Sequence, residues 1–554
     1  MTTPPPRTLW WIASAMAAGG ALMLAAFLGP KRGLPVAARP PGEENVLRIA
    51  YVQWLLPDPH TRSQPLPAQN QFILALWEPL IECDPKTGEP RPAAAESWEW
   101  SDDRRSLTVK LRPNGRWSNG DPVTSRDFVR GWRRLLHMPM ECASALFPVK
   151  NAEALTRGKM KGDDNLGVVA IDDLTLRITL MGVRSTFLAE LADPLLSPVH
   201  ETTPGVLEHG DFWQRPEKLV TNGAFQLEEA RADGYRLKLS PYYRDREWIQ
   251  LSGVKFVRVG SMGMAQLLAA AGQVDVLSPI PGTDPAKFPT TRCLTEESEL
   301  ALVVSALDLN VTRGPLRDVR VRRALSMALD RAGSIQPQDR ESMVPAFSWV
   351  PDMPGRPCLN LLKEDANEAR RLLAEAGYPG GQGFPVLVLP VEPSWRGYSY
   401  LQAWTEQWYR ELGIRTYLAY ERGEQRKLRM KTGDFDVYYN GLLATVPDAG
   451  DMLGTFALPG VYNATYWENP SVTRLLQQAD CQEGRERLAL LEQAERMVMA
   501  EVPTIPTMFE QRRTLLAIEV GGWYADPLGR QLLRHLSIRS LPTEASPMIG
   551  RASL

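Results

Sequence analysis

Residues 115–136 read GRWSNGDPVTSRDFVRGWRRLL and decide how the surrounding chain is interpreted. Just before them, Ser106 to Arg112 alternates apolar and polar residues, which is the period of a half-buried strand. Asn119-Gly120-Asp121-Pro122 then supplies a turn. The stretch therefore predicts a strand, a turn and a helix in that order.

The helix after this turn is predicted to be amphipathic. Thr124 or Ser125 can cap its amino end, and Asp127 suits the positive end of the helix dipole. Four residues form an apolar stripe: Phe128, Trp132, Leu135 and Leu136. Four arginines are expected to form a solvated face: Arg126, Arg130, Arg133 and Arg134. Such a helix by itself indicates no function.

Length and composition narrow the class of protein. A chain of 554 residues with 44% apolar residues is globular and too long for one hydrophobic core, so two or three domains are expected. A formal charge of -2, without a long run of Lys or Arg, argues against nucleic-acid binding. The five cysteines are far apart and odd in number, so they indicate neither a metal site nor a complete disulfide framework.

The pattern W-S-N-G-D-P-V-T-x-x-D-F-V-x-x-W-R-R-L resembles the signature of the periplasmic oligopeptide-binding proteins that serve ABC importers. The resemblance recurs in order over roughly Asn45 to Ile538, for example in Leu56-Pro57-Asp58-Pro59-His60 and in Thr221-Asn222-Gly223-Ala224-Phe225. The chain is thus similar to the extracytoplasmic solute-binding proteins of family 5. This resemblance implies an α/β, two-lobed periplasmic-binding-protein fold of type II, with the extra subdomain of the peptide-binding class.

The resemblance also implies how the chain is divided. Lobe I is predicted to comprise residues 45–79, 197–302 and 512–540, with an additional subdomain at 80–196. Lobe II is predicted at 303–511. An N-terminal anchor or signal segment at 1–32, a linker at 33–44 and a disordered tail at 541–554 complete the division.

The N-terminal segment has two interpretations. Leu9 to Leu28 contains no charged residue over 20 positions, which as a helix spans roughly 30 Å of hydrocarbon. Arg7 precedes it and Lys31-Arg32 follow, which favours a retained transmembrane anchor. The small residues Val36-Ala37-Ala38 offer the alternative of a cleavable signal peptide. Either interpretation places most of the chain outside the cytoplasm.

No catalytic or cofactor motif is found in the sequence. It contains no G-x-S-x-G, H-E-x-x-H, C-x-x-C or Walker pattern, and its five histidines lack the spacing that places two on one metal. His60 is expected to be a turn residue rather than a metal ligand. We therefore predict a protein with no cofactor, no metal site and no catalytic residue, with an enzyme that uses unrecognised carboxylates as a weaker alternative.

Residues 441–453, GLLATVPDAGDML, align with the ligand-contacting segment of the resembled family. Gly441 is retained, Leu442 stands where the family has Trp, and Thr445 stands where it has the Asp that pairs with the amino terminus of a peptide. Tyr439 occupies a position where some members have an Arg that meets the other end of the peptide. Val303 and Leu443 occupy the two positions of a family disulfide.

The threonine at position 445, in place of the family's aspartate, narrows the class of ligand that is expected to bind. A threonine accepts a hydrogen bond from an ammonium group but supplies no charge, so free peptides are expected to bind weakly. Asp448 and Asp451 lie just downstream and could supply the missing charge after a loop shift. The predicted ligand-binding residues are therefore Tyr439, Gly441, Leu442, Thr445 and Asp448.

The sequence therefore predicts a periplasmic or cell-surface protein that captures a peptide or peptide-like ligand between two lobes. Its expected partners are that ligand and the permease subunits of an ABC importer, and it is expected to be a monomer that binds no nucleic acid. The alternative is a membrane-anchored degenerate binding protein that acts as a scaffold, with altered or lost ligand binding.

Overall fold

A computed structural model gives the fold of the chain. It describes residues 39–539 apart from 53–54, 62–66, 85, 206–211, 279–293, 354, 393–396, 458–462 and 525–527. The strands are β1 Val46–Tyr51, β2 Ile81–Cys83, β3 Pro90–Pro92, β4 Ala95–Trp100, β5 Ser106–Leu111, β6 Val168–Asp172, β7 Thr175–Thr179, β8 Phe225–Arg231, β9 Gly234–Leu239, β10 Gly253–Arg258, β11 Val276–Leu277, β12 Leu294–Leu309, β13 Met343–Pro345, β14 Leu387–Val391, β15 Thr416–Tyr420, β16 Val437–Leu443, β17 Thr504–Ala517, β18 Val520–Gly521 and β19 Ser537–Ile538.

The α-helices alternate with these strands over most of the chain. They are α1 Pro67–Leu76, α2 Ser125–Leu136, α3 Met140–Ala143, α4 Ala152–Thr156, α5 Phe187–Glu190, α6 Met262–Ala270, α7 Val319–Met327, α8 Arg331–Ser334, α9 Ala366–Glu375, α10 Tyr398–Leu412, α11 Gly423–Thr432, α12 Ala449–Gly454, α13 Pro470–Asp480 and α14 Gly484–Glu501. The mixture of helices and strands confirms the predicted α/β class.

One large sheet extends through both lobes. Its strand order is β16-β12-β17-β11-β1-β10-β9-β8, with β13 paired to β17. The central strand β1 runs parallel to β10 and β11, whereas β12 is antiparallel to both β16 and β17. The long strands β12 and β17 pair with each other in lobe I and again in lobe II, so they are the covalent and hydrogen-bonded connection between the lobes.

The pairing of β12 with β17 is interrupted near the middle of β12. Leu300 pairs with Gln511, and the next pair is Val304 with Phe509, so β12 contains extra residues at this point. Such a β-bulge bends and twists the strand that carries it. Residues on both sides of the bulge, Leu300 and Val304, contact the same hydrophobic core, which also contains Leu302 and Phe509.

Lobe II has helices on both faces of its part of the sheet. Alternate β12 side chains point to opposite faces, so Leu307 and Leu309 join a core that contains Trp404 and Trp408 of α10. Val304 and Ala306 join a second core, with residues of α12, α13 and α14 that include Met452, Leu476 and Val498. This three-layer arrangement is typical of an α/β domain.

Lobe I and its additional subdomain share one continuous core. In lobe I the ring of Phe72 on α1 lies 5.0 Å from that of Phe256 on β10 and 4.8 Å from that of Tyr235 on β9. The subdomain adds an antiparallel sheet of order β4-β5-β7-β6, whose buried residues Val109 and Ile178 belong to the same core.

Helix α2 confirms most of what its sequence predicts. It begins at Ser125, directly after Thr124, and the backbone N–H of Thr124 donates to Asp127 Oδ2 at 2.8 Å. The predicted apolar stripe is almost fully buried: Phe128, Trp132, Leu135 and Leu136. The strand before it, β5, also lies where the alternation predicts it.

The prediction of a solvated arginine face is wrong for Arg134. Arg126, Arg130 and Arg133 are partly exposed and pair with nearby carboxylates, as expected on a helix surface. The side chain of Arg134 is only 5% exposed because α2 packs there against the loop that carries Asp58.

No helix within the described residues is long and apolar enough to cross a membrane. The predicted anchor at Leu9 to Leu28 and the predicted tail at 541–554 lie outside the described residues.

Candidate functional site

A cavity of about 160 Å³ lies between the two lobes. Lobe I contributes Pro59, Thr61, Gln69, Asn70 and Ile73 to its walls, and the C-terminal segment contributes Leu528 and Arg530. Residues 512–540 were expected in lobe I, but Leu528 packs into the lobe II core that contains Met452 and Val498. The additional subdomain contributes Asp193, Pro194 and Leu195, and lobe II contributes Leu443, Ala444 and Thr445. Of the five predicted ligand-binding residues, Thr445 lines this cavity. A ligand here would contact both lobes at once.

The lobe I wall is a loop held in place by side chains of α1 and its surroundings. Gln69 accepts from the backbone N–H of Leu56 at 3.0 Å and donates to its carbonyl oxygen at 2.8 Å. The indole N–H of Trp77 donates to the carbonyl oxygen of Pro57 at 3.0 Å. These bonds satisfy buried polar groups of the loop, so Pro59 and Thr61 are presented to the cavity in a fixed position.

Arg134 fixes the same loop from α2. Its guanidinium donates to both carboxylate oxygens of Asp58, at 2.9 and 2.7 Å, and to Nδ1 of His60 at 2.9 Å. His60 Nε2 lies 3.2 Å from the carbonyl oxygen of Ser197, so the neutral ring accepts at Nδ1 and donates at Nε2. Burial and the charge of Arg134 lower the pKa of His60 to about 4. The histidine is thus a buried part of the loop, and no metal-binding group of three His, Cys, Asp or Glu residues occurs in the described part of the chain.

The lobe II wall follows directly after β16. Thr445 is exposed, its backbone N–H donates to Asp451 Oδ2 at 2.6 Å, and its hydroxyl donates to Asp451 Oδ1 at 2.8 Å. Asp451 lies in the first turn of α12, so this short helix holds the segment that faces the cavity. Sequence spacing alone identified Asp451 only as a neighbour, because its contact with Thr445 depends on the fold of residues 444–450.

The other predicted residues lie close by but in different surroundings. Tyr439 is buried, with its ring 5.4 Å from that of Trp404 in the lobe II core. Gly441 is exposed on β16, and Leu442 is half-buried beside it. Asp448 caps α12 through the N–H of Gly450 and accepts from Arg487 Nη2 at 2.6 Å. Ligand contact by these four residues stays a prediction.

The two positions of the expected family disulfide are neighbours across the sheet. Val303 of β12 pairs with Leu443 of β16. Directly opposed residues on antiparallel strands have Cβ atoms roughly 4.5–5.5 Å apart. The fold therefore keeps the geometry of a cross-strand pair, filled here by two apolar side chains.

A second cavity of about 250 Å³ lies on the other side of Asp451. Arg184 and Thr186 of the additional subdomain face Asp451, Asp480 and Arg487 of lobe II across it. Two polar contacts join the lobes in this region: Ser185 Oγ donates to Asp480 Oδ1 at 3.3 Å, and Arg104 pairs with Glu483 at 2.6 Å. Burial raises the pKa of Asp451 and of Asp480, and the charge of Arg184 opposes the rise in both.

The fold and this cleft together define a two-lobed solute-binding protein. Two α/β lobes, joined by crossing strands, enclose a cavity whose walls combine apolar side chains with polar ones, as small-ligand sites do. Binding between lobes stabilises the conformation in which both lobes touch the ligand.

Comparison with known proteins gives the family. Residues 89–464 match the family described as Bacterial extracellular solute-binding proteins, family 5 Middle. The probable deoxycholate-binding periplasmic protein YgiS of Escherichia coli (strain K12) is 29% identical over 474 residues, which cover 82% of this chain and 86% of that protein. The periplasmic oligopeptide-binding protein OppA of Salmonella typhimurium is 27% identical over 500 residues, which cover 87% and 90%.

The fold agrees with solved structures of such proteins. The Escherichia coli murein tripeptide binding protein MppA superposes with a TM-score of 0.71 at 26% identity, covering 89% of this chain and 98% of MppA. The chain belongs to the bacterial extracellular solute-binding proteins of family 5, which are extracytoplasmic proteins of transport systems.

Proposed function

We propose that this protein captures a peptide or peptide-like ligand in the cleft between its lobes and delivers it to the permease subunits of an ABC importer. The observation that carries the proposal is the cavity of about 160 Å³ whose walls come from both lobes. Most of the named relatives support a peptide as ligand, since OppA, MppA and the dipeptide-binding protein DppE of Bacillus subtilis are named for peptides.

The position of β16 also favours an extended ligand. This strand lies at one end of the large sheet, and its last residues lead directly to Leu443, Ala444 and Thr445 in the cavity wall. The far edge of Gly441–Leu443 carries no further strand among the described residues. A free edge can hydrogen-bond to the backbone of an extended peptide, while pockets receive its side chains.

The proposal also covers where the protein acts and that it has no catalytic activity. The protein works outside the cytoplasm as a monomer, held at the cytoplasmic membrane by Leu9 to Leu28, and it binds its ligand without converting it. Membrane fractionation tests the anchor. A soluble mature chain that begins near Arg39 would contradict it, because cleavage there removes the apolar run.

The proposal is tested by calorimetric titration of the purified protein with a mixed library of tri- to pentapeptides. Deoxycholate serves as the competing ligand, because the relative YgiS is named for it. We expect saturable binding of peptides and none of deoxycholate. Binding of deoxycholate without any binding of peptides would overturn the proposal, and mass spectrometry of the copurified ligand provides an independent check.

A pair of variants locates the binding in the cleft. Leu443→Trp places a larger side chain in the cavity wall and should abolish peptide binding. Leu428→Trp is the matched control, because Leu428 on α11 is 59% exposed and does not line this cavity. Equal loss of binding in both variants, or in neither, would show that peptides bind elsewhere.

A further inference from the structure

Trp248 is the most exposed of the large apolar side chains in the described part of the chain, with 82% of its surface open to solvent. It ends a short 3-10 helix, Arg246–Trp248, in the loop 240–252 that joins β9 to β10. Tyr242 of the same loop is 49% exposed. Tryptophan is highly buried on average and is enriched at surfaces that meet a partner or a membrane, so this loop is a candidate contact surface.

The loop is held in place by buried contacts on both sides of Trp248. The buried hydroxyl of Tyr243 donates to Glu78 Oε1 at 2.8 Å, and Arg244 Nη2 donates to the same oxygen at 2.8 Å. On the other side, Leu251 belongs to the core that lobe I shares with its subdomain. The indole is therefore presented to solvent from a fixed backbone.

This loop and the start of lobe I lie at the same edge of the large sheet. Strands β1 and β10 run parallel, with Val46 opposite Gly253, so both begin at this edge. The N–H of Ser252 donates to the carbonyl oxygen of Asn45 at 3.0 Å. Arg39 Nη1 donates to the carbonyl oxygen of Val46 at 2.8 Å, which fixes the preceding residues there as well. The chain thus enters lobe I beside the loop 240–252.

The length of the chain before lobe I keeps this edge near a membrane. The uncharged run Leu9 to Leu28 is the anchor in the proposed function, and Arg39 follows Leu28 by 11 residues. Eleven fully extended residues reach at most roughly 40 Å. The edge where the chain enters lobe I is therefore the part of the folded body whose distance from the bilayer the anchor limits most.

The charges beside Trp248 balance one another. Asp245 pairs with Arg244 at 3.1 Å, and the exposed neighbours Arg246 and Glu247 carry opposite charges. Surfaces that recognise anionic lipids have an excess of Lys or Arg, which this loop lacks. Attachment here would depend on the indole, because its apolar ring and polar N–H suit the boundary between acyl chains and headgroups.

We propose that Trp248 inserts into the headgroup interface of the phospholipid bilayer beside the anchor and so orients lobe I on the membrane surface. This inference rests on the anchor in the proposed function and is independent of the ligand. The anchor alone leaves the body free to rotate about its tether. A second attachment through the indole restricts that rotation and turns one edge of lobe I toward the lipid.

The test measures contact between Trp248 and lipid in the full chain, reconstituted in phosphatidylcholine vesicles. Bromine atoms on the upper part of the acyl chains quench only tryptophans that touch them. The emission of the wild type minus that of Trp248→Phe is the contribution of Trp248, because the other tryptophans are common to both. We expect this contribution in plain vesicles and its loss in brominated ones.

A second variant is the matched control. Trp248→Phe combined with Tyr409→Trp moves the exposed indole to α10 in lobe II, where Tyr409 is 60% exposed. Its added emission should be the same in plain and brominated vesicles. Both variants change exposed side chains only, so their midpoints of urea unfolding should equal that of the wild type.

The outcomes separate this inference from the anchor. A membrane-bound chain whose Trp248 emission is equal in both kinds of vesicle overturns the inference and leaves the anchor standing; a protein partner is then the occupant of this surface. A chain that does not stay with the vesicles overturns both. Equal quenching of the indole introduced by Tyr409→Trp would show that the body meets lipid without a preferred edge, which also overturns the inference.

Discussion

Replacement of Arg134 by methionine tests how strongly Arg134 stabilises the loop that carries Asp58 and His60 beside the cavity. Arg134 and Asp58 are each about 5% exposed in their side chains and are joined by two hydrogen bonds, at 2.9 and 2.7 Å. The guanidinium also donates to His60 and lies 5.1 Å from the centre of the Trp213 ring. Methionine keeps much of the apolar stem but leaves the carboxylate of Asp58 buried without a charged partner, with the backbone N–H of His60 still donating to its Oδ1 at 2.9 Å.

The expected loss of unfolding free energy follows from the burial of this ion pair. Removal of one partner of a buried ion pair costs about 3–5 kcal/mol, because the remaining charge is left uncompensated. The double variant Arg134→Met with Asp58→Asn removes that charge as well and should regain about half of the loss. Urea unfolding followed by tryptophan fluorescence measures both values as shifts of the midpoint at constant slope.

Arg126→Met is the matched control on the same helix. Arg126 pairs with Asp173 at 2.6 Å, but the two side chains are 66% and 64% exposed. Exposed pairs contribute about 0–1 kcal/mol, so this variant should remain close to the wild type. Equal destabilisation by the two methionine variants, or no recovery in the double variant, would refute the role given to Arg134.

Two further predictions concern stability. Because burial holds the pKa of His60 at about 4 in the folded chain, against 6.5 in the unfolded chain, only the unfolded chain takes up a proton between these values. The contribution of His60 to the unfolding free energy should therefore be complete above pH 6.5 and fall by about 3 kcal/mol as the pH drops to 4, and His60→Gln should show a smaller decrease in stability over that interval than the wild type. The double variant Val303→Cys with Leu443→Cys should form a cross-strand disulfide and gain about 2–4 kcal/mol in unfolding free energy, because these residues are opposed in the sheet. Thiol titration after mild oxidation measures the bond by comparison with the wild type, and two more free thiols in the variant than in the wild type would contradict the register of β12 and β16.

Elements with a clear hydrophobic period could be predicted from sequence, and those stabilised by distant polar contacts could not. The 3.6-residue repeat of Phe128, Trp132 and Leu135 identified α2 and its buried stripe. The same repeat assigned Arg134 to the surface, because its partner Asp58 lies 76 residues away in the chain. Residue spacing within a helix contains no information about such a partner.

Strand β17 shows the same limit of prediction from the sequence. The sequence shows a strand-like apolar pattern only over Thr514 to Val520, because Arg512 and Arg513 interrupt it before that point. In the fold these arginines pair with Glu299 and Glu296 of β12, so polar residues become part of a buried ladder. Likewise, Thr445 could be singled out by its place in the sequence pattern, but the orientation of Asp451 toward it required the turn into α12.

The interruption between Leu300 and Val304 has a consequence for how binding proteins of this design diversify. The bulge bends and twists β12 within the ladder that it forms with β17, so the course of these strands is set by their own backbone register. Residues of the cavity wall, such as Thr445, stand on a different segment. Substitutions in the cavity wall can therefore accumulate one at a time without altering the bulge, so the contacts offered to a ligand can change while the path of the long strands is kept.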